Sequence, residues 1–450
     1  RYSGDSCRKN DPLKNYIMEV YKYPPTSSWS NLTKRPNKNA EDLDSLVEEV
    51  FQAVRERGDQ AVFEYTKLFD KVSLQSLHVL PDEINDAKEL ISEELKMAIE
   101  MAYSNIFKFH EAQKSEKRVI ETSSGIRCWR MERPIEKVGF YIPGGSAPLF
   151  STILMLGVPA TIAGCSEIIL MTPPDKNGQI HPAILYTANR IGITKIFKVG
   201  GIQAIAALTF GTQSVDKVYK IFGPGNQYVT AAKSFAQRAG MNIDMPAGPS
   251  EVLIIADKSS IPTFVAADLL AQAEHGPDSQ VMLLSDDIEV IESILKELEF
   301  QLLTLPRKEI TSEALVNSKC ILLTSITDCI DFSNQYAPEH LILAVEDSAY
   351  YLEKVINAGS VFLGNYSCES VGDYASGPNH TLPTNGFASS YSGVSLDSFI
   401  KKISVQDISA VGLKNIGPAV EIMAEEEGLF GHKNSVSIRL DQIKRDKENV

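Results

Sequence analysis

From Lys137 onward, short β-branched and aromatic runs alternate with segments of helical length, and this alternation constrains the fold more than any other feature of the chain. Residues 138–142, 167–171, 195–199 and 217–221 form one series; residues 251–255, 280–284, 320–323, 341–344 and 360–363 form a second. Each run ends near a Gly or Pro break, the rhythm of a parallel sheet whose crossovers are helices. The expectation is an α/β protein with two units of similar build, which 450 residues can supply with separate cores. Ahead of them lies a helical region, marked by the amphipathic spacing of Leu43, Leu46, Val47, Val50 and Val54 and by a long helix from about Asp82 to Glu111. Residues 1–36, rich in Pro, Asn, Ser and Lys, have the composition of an arm. Between Leu363 and Ser395 the pattern lapses into Gly, Ser, Asn, Pro and Tyr, far longer than a usual connection of about 4–6 residues. Long ordered loops tend to carry function. A last helix is expected near residues 407–427, before a charged tail.

Charge and cysteine usage narrow the functional classes. The net charge is −14, from 44 Lys+Arg against 58 Asp+Glu, and acidic runs such as Glu41 to Glu49 suit solvated helix faces. Nothing resembles a footprint for a phosphate backbone, so no nucleic-acid partner is expected. The cysteines (Cys7, Cys128, Cys165, Cys320, Cys329, Cys368) are scattered without a C-x-x-C pair and suit reduced thiols. The apolar run from Phe150 to Cys165 is broken by Ser151, Thr152, Gly157 and Pro159 and is shorter than the ~20 residues that span a bilayer. A buried helix, not a membrane segment, is expected there. The chain opens at Arg1 without an apolar signal. Such a start fits a processed chain or one excised from a longer polypeptide; a cytoplasmic location is expected, with a plastid one open if a transit peptide has been removed.

Three strand-to-helix junctions carry glycine: Tyr141 to Ser146, Val199 to Gln203, and Phe222 to Asn226. Glycine lets a backbone approach an anion closely, and the following helix start offers free N–H groups. None is a G-x-G-x-x-G, and tight turns alone would explain any one of them. Three in one α/β unit lean toward a ligand cleft. Elsewhere, polar groups gather at breaks. Gln272 and His275 are three apart at the end of an apolar helix, where helical spacing would put them on one face before Gly276 and Pro277 stop it. Glu339 and His340 follow Pro338 just ahead of an apolar run, a carboxylate beside an imidazole that it could tune for base chemistry. Asp373 and His380 lie in the long loop, and His432 near the C-terminus. Gln272, His275, Asp373 and His432 would offer two N and two O ligands, a mixture suited to zinc or another borderline ion. A satisfied histidine, a strand-end histidine and a turn-capping aspartate are the structural alternatives. Cys165 invites a role as nucleophile, but no basic neighbour would activate it, and a packed thiol is the simpler expectation.

Taken together, these segments closely resemble the histidinol dehydrogenase family. The resemblance runs from roughly Ala40 to Leu440 and rests on YIPGG (141–145), GGIQAIAAL (200–208), GPGNQYV (223–229), AGPSE (247–251), LLAQAEHGPDSQ (269–280), APEHL (337–341), GDYASGPNHTLPT (372–384) and EGLFGH (427–432). It implies oxidation of L-histidinol to L-histidine with two NAD and one water, through a bound L-histidinaldehyde. It also implies a zinc ion on Gln272, His275, Asp373 and His432, the last reaching across a homodimer with shared active sites. Tyr141, Gln203 and Asn226 would contact NAD. Ser250, Gln272, His275, His340, Asp373, Glu427 and His432 would contact substrate. His340 would take the hydroxyl proton and Glu339 would activate water. Adjacent strand residues point apart, so this pair demands irregular backbone between Pro338 and His340.

The implied fold is two incomplete Rossmann-like domains with parallel-type sheets plus small N- and C-terminal extensions. On the boundaries read here, residues 1–36 form an arm, 37–137 with 252–394 a discontinuous first domain carrying most metal and catalytic residues, 138–251 the NAD-binding domain, and 395–450 an extension serving the partner's site. The alternatives are a zinc and NAD dehydrogenase acting on another primary alcohol, against which Glu427 and His432 argue, and a non-catalytic metal-binding module of a fused protein, against which Glu339 and His340 argue.

Overall fold

The structure, a computed structural model, describes residues 18–36, 41–144, 148–246 and 248–448. Gly145, Ala247 and the first part of the expected arm lie outside the described residues. The chain divides into two compact units, Arg1–Ala112 with Glu136–Ser398 and Gln113–Ile135 with Phe399–Val450.

In chain order the strands are β1 (Glu19–Lys22), β2 (Ile120–Ser123), β3 (Ile126–Pro134), β4 (Lys137–Tyr141), β5 (Glu167–Thr172), β6 (Lys195–Lys198), β7 (Lys220–Phe222), β8 (Asn242–Ile243), β9 (Glu251–Ala256), β10 (Gln280–Ser285), β11 (Lys319–Leu322), β12 (His340–Ala344), β13 (Ser360–Leu363) and β14 (Ile400–Ile408). The larger unit holds two parallel sheets, ordered β6-β5-β4-β7-β8 and β1-β11-β10-β9-β12-β13. Apart from β1, which adds an edge strand next to β11, each sheet begins at a central strand, steps outward twice on one side, then crosses to the other side of that first strand. The order therefore reverses between β4 and β7 and again between β9 and β12, as in Rossmann-like folds. Strands β9 and β10 are buried along their whole length, which is why they read as continuous apolar runs rather than alternating ones.

Four features differ from the sequence expectation. First, residues 18–36 are not an arm: β1 pairs in parallel with β11, Glu19 opposite Lys319, and Met18, Trp29 and Leu32 are buried in the clusters around that sheet. The flanking Pro, Asn and Lys hide a four-residue strand. Second, the helix Glu41–Arg57 packs Val47, Val50, Phe51 and Val54 with Phe197, Ile202 and Val229. It thus belongs with the sheet centred on β4 rather than with residues 252–394. Third, the long helix is broken: Pro81–Asp86 and a 3₁₀ turn Ala87–Leu90 precede Glu93–Glu111, whose start is capped by Ser92 accepting from Leu95 N. Fourth, residues 113–135 join the C-terminal region in the smaller unit, where β14 pairs antiparallel with β3 from Ile400 opposite Pro134 to Ile408 opposite Ile126. Helices Ala410–Glu426 and Phe430–Glu448 follow. β14 is mostly exposed, so it lacks the one-sided apolar alternation that betrays a strand.

The helix Phe150–Ala163 is buried on most sides, as its composition demands. Among the described residues no helix is long and apolar enough to cross a membrane. The turn after β7 is the tightest point of the β4 sheet: Gly223 has φ +127°, and a Cβ there would lie 2.0 Å from Tyr141 O. Lys233 Nζ donates to Gly223 O at 2.9 Å, and Gly223 N donates to Asp244 Oδ2 at 2.8 Å. Gly223→Ala is expected to cost roughly 2–4 kcal/mol, seen as a lower urea midpoint; an unchanged midpoint would contradict this account of the turn.

Candidate active site

The two sheets present different edges. The glycine junctions lie at the carboxyl ends of β4, β6 and β7, beside the reversal point where open α/β sheets hold ligands. Tyr141, last in β4, is buried, and its hydroxyl accepts from Gly201 N at 3.2 Å. Gln203 is fully buried; Nε2 donates to Asp70 Oδ2 at 3.3 Å while Oε1 has no partner. Burial pushes the Asp70 carboxyl up to about 6. Asn226 caps the helix Gln227–Arg238, its Oδ1 accepting from Tyr228 N and Val229 N. Asp70 carries no sequence motif, and only the fold brings it here.

In the other sheet the chemistry-bearing side chains gather at the amino ends of β9, β12 and β13. Helix Ile326–Tyr336 stops at Ala337, which is left-handed at φ +51°. Pro338 and Glu339 follow before β12 begins at His340, so the required irregular backbone is present. Both side chains then converge on the first residue of β9. Glu251 N donates to Glu339 Oε2 at 2.9 Å, and Glu251 O faces His340 Nδ1 at 3.2 Å. His340 Nδ1 and Glu339 Oε2 are 3.7 Å apart. Burial raises Glu339 to about 8. Burial opposes charge on His340, but Glu369, Glu339 and Asp373 outweigh it and raise the imidazole to about 10.

Gln272 sits fully buried near the end of the helix Pro262–Ala273. Its Nε2 lies 2.9 Å from Glu251 O and 3.1 Å from His340 Nδ1, which leaves Oε1 a buried acceptor without a donor. The helix ends before His275, whose N–H folds back on Gln272 O at 3.3 Å while Nδ1 meets Ser250 Oγ at 3.3 Å. Although the helix closes at Ala273 and a turn carries His275, both side chains face neighbouring residues at the start of β9, Gln272 the Glu251 carbonyl and His275 the Ser250 hydroxyl. Asp373 stands on the short helix Glu369–Tyr374, its Oδ1 3.4 Å from His340 Nε2. Burial opposes ionisation of Asp373, but His340, His380 and His275 together hold it below its ordinary value.

Glu369 joins this cluster: ligand atoms of His340, Glu369 and Asp373 lie within 4.8 Å of one another. It escaped the sequence reading because it follows Cys368 in a stretch that resembles loop. A cavity of about 360 Å³ opens beside these residues, lined in part by His340, Phe362, Cys368, Asp373 and His380. His380 bridges elements, with Nδ1 2.8 Å from Asp373 O and Nε2 3.1 Å from Thr152 Oγ1 on the buried helix. Glu427 and His432 belong to the smaller unit and are exposed there.

Cys165 shows none of the features of a nucleophile. Burial pushes its thiol up to about 12. Cys165→Ser is expected to keep wild-type turnover, and iodoacetamide to leave native Cys165 unlabelled until denaturant is added; rapid native labelling would contradict this.

Residues 33–440 match the histidinol dehydrogenase family. Histidinol dehydrogenase of Bacteroides thetaiotaomicron is 56% identical over 428 residues, covering 95% of this chain and 100% of that one. The chloroplastic histidinol dehydrogenase of Arabidopsis thaliana is 50% identical over 451 residues, covering 97% and 95%. The crystal structure of histidinol dehydrogenase from Elizabethkingia anophelis superposes with a TM-score of 0.94 at 60% identity, covering 95% of this chain and 99% of that one.

Proposed function

Because this chain belongs to the histidinol dehydrogenase family, we propose that it oxidises L-histidinol to L-histidine by two hydride transfers to NAD, with L-histidinaldehyde held between them. The first step converts the alcohol and NAD⁺ into aldehyde, NADH and a proton. The second converts aldehyde, water and NAD⁺ into carboxylate, NADH and two protons. The observation that supports this best is the buried Glu339–His340 pair held on the main chain of Glu251.

His340 is the base of the first step. Glu369, Glu339 and Asp373 make the ring strongly basic; once it has lost the extra proton they favour, Nε2, 3.4 Å from Asp373 Oδ1, takes the hydroxyl proton, while the Glu251 carbonyl, which can only accept, keeps a proton on Nδ1 against the Gln272 amide 3.1 Å away. Glu339 is the base of the second, drawing a proton from the water that adds to the aldehyde. Its raised value brings it near neutral pH, where a general base works best. Tyr141, Gln203 and Asn226 bind NAD, with the free Oε1 of Gln203 as an acceptor for a dinucleotide hydroxyl. Ser250 and Glu427 contact the substrate together with the metal-binding residues and His340.

Gln272, His275 and Asp373 would hold zinc, with His432 of the partner subunit completing the set in a homodimer. The unpartnered, buried Oε1 of Gln272 and an Asp373 carboxylate held anionic by His340, His380 and His275 suit a borderline cation. When bound, zinc supplies a positive anchor for the amine and imidazole nitrogens of histidinol. The exposure of Glu427 and His432 agrees with a role in a neighbouring copy's site. A cytoplasmic or plastid location belongs to the same proposal.

The zinc-loaded chain should form NADH from L-histidinol, and absence of NADH would defeat the functional reading. His340→Asn should lose roughly 10²–10⁴-fold in both oxidations with zinc content retained by metal analysis. Glu339→Gln should slow chiefly the oxidation of supplied histidinaldehyde. Equal loss in both steps for the glutamate variant would contradict the division of roles.

A further inference from the structure

The turn that carries Glu339 and His340 is gripped from behind by a residue outside all the motifs of the site. Arg35 precedes the helix Glu41–Arg57, and its side chain is only 12% exposed. Arg35 Nε donates to Glu251 Oε1 at 2.9 Å and Nη2 to Glu251 Oε2 at 3.0 Å. The same Nη2 donates to Tyr336 O at 2.6 Å, and the guanidinium lies 3.8 Å from the centre of the Tyr336 ring. Asn385 N also donates to Glu251 Oε1, at 2.8 Å. One planar group thus ties two residues together, through the side-chain carboxylate of Glu251 and the main-chain carbonyl of Tyr336. One is the first residue of β9, whose N–H and C=O face Glu339 and His340. The other is the last residue of the helix before Ala337, where the chain turns toward them.

We propose that Arg35 is a positioning residue for Glu339 and His340, its guanidinium fixing the start of β9 against the 336–340 turn. The proposal rests on the assignment of Glu339 and His340 as the two bases. Bidentate pairing explains why arginine is needed. Lysine would keep the positive charge opposite Glu251, but a tetrahedral ammonium has no planar fork with which to hold both carboxylate oxygens and the Tyr336 carbonyl together. Small displacements are costly in such a place, since about 1 Å of misplacement can lose on the order of a hundredfold in rate. The glycine junctions of the β4 sheet make no part of this contact, so NAD binding should not depend on it.

The test is Arg35→Lys, with Arg35→Gln/Glu251→Gln as a second variant that replaces the ion pair by neutral amides and leaves no unpaired buried charge. The readouts are kcat for histidinol and for histidinaldehyde, the KM for NAD, zinc content and Tm. For Arg35→Lys we expect kcat to fall roughly ten- to a hundredfold in both oxidations, with the KM for NAD, zinc content and Tm unchanged. If Arg35→Lys does not fold, the double variant carries the test: folded and slow supports the proposal, folded with full kcat overturns it. Wild-type kcat in Arg35→Lys overturns it too, as does a loss in which the KM for NAD, zinc content and Tm all worsen together, since that is the mark of general structural damage. No NADH from the wild-type chain removes the functional reading and this inference with it, whereas wild-type turnover with an undiminished Arg35→Lys removes the inference alone.

Discussion

The peptide groups of Glu251, at the amino end of β9, are the contact on which the catalytic cluster depends. Its N–H holds Glu339, and its carbonyl takes Gln272 and faces His340. Backbone groups at the edge of a buried parallel sheet cannot turn to water and are obliged to find partners inside the protein. Their positions are set by register, with Gln280 opposite Glu251 and His340 opposite Val252. The site is thereby built on a strand buried along its whole length and paired on both sides, and its side chains inherit the precision of the sheet. The buried carboxylate of the same residue would be costly alone and is matched by the Arg35 fork.

The two sheets share a topology and use opposite edges. Around β4 the glycine turns stand at the carboxyl ends, the position expected for a nucleotide-binding crevice. Around β9 the cluster stands at the amino ends, with the left-handed Ala337 delivering Glu339 and His340 side by side. Physical ties join the two halves of the larger unit. Thr152 and Met155, on the helix that follows β4 and its glycine turn, meet His380 and Asn379 of the long loop. Asp373 lies on the same loop, so the loop is braced by one sheet's helix while it offers a carboxylate to the other sheet's histidine.

Much of this was legible in the chain. The nine expected strands all occur, because buried parallel strands leave continuous apolar runs between glycine breaks. The motif residues Glu339, His340, Gln272 and Asp373 do meet. Long-range and polar features were hidden for physical reasons. Arg35 and Glu251 are separated by 216 positions, and nothing local announces that a charge in a Lys- and Pro-rich stretch will be buried. β1 is short and β14 is mostly exposed, so neither shows one-sided alternation. Helical periodicity overran by two residues at His275, since the helix closes at Ala273 and a turn carries the imidazole to Ser250, next to the Glu251 carbonyl that takes Gln272.

The central claim is that the Glu251 main chain selects the proton position on His340. Neutron diffraction from deuterium-exchanged crystals, with zinc and NAD bound, would locate that proton directly. The account predicts deuterium on Nδ1, directed at the Glu251 carbonyl, both in the doubly protonated ring that Glu369, Glu339 and Asp373 favour and in the neutral one. A neutral ring carrying deuterium on Nε2, with Nδ1 instead accepting from Gln272, would contradict it.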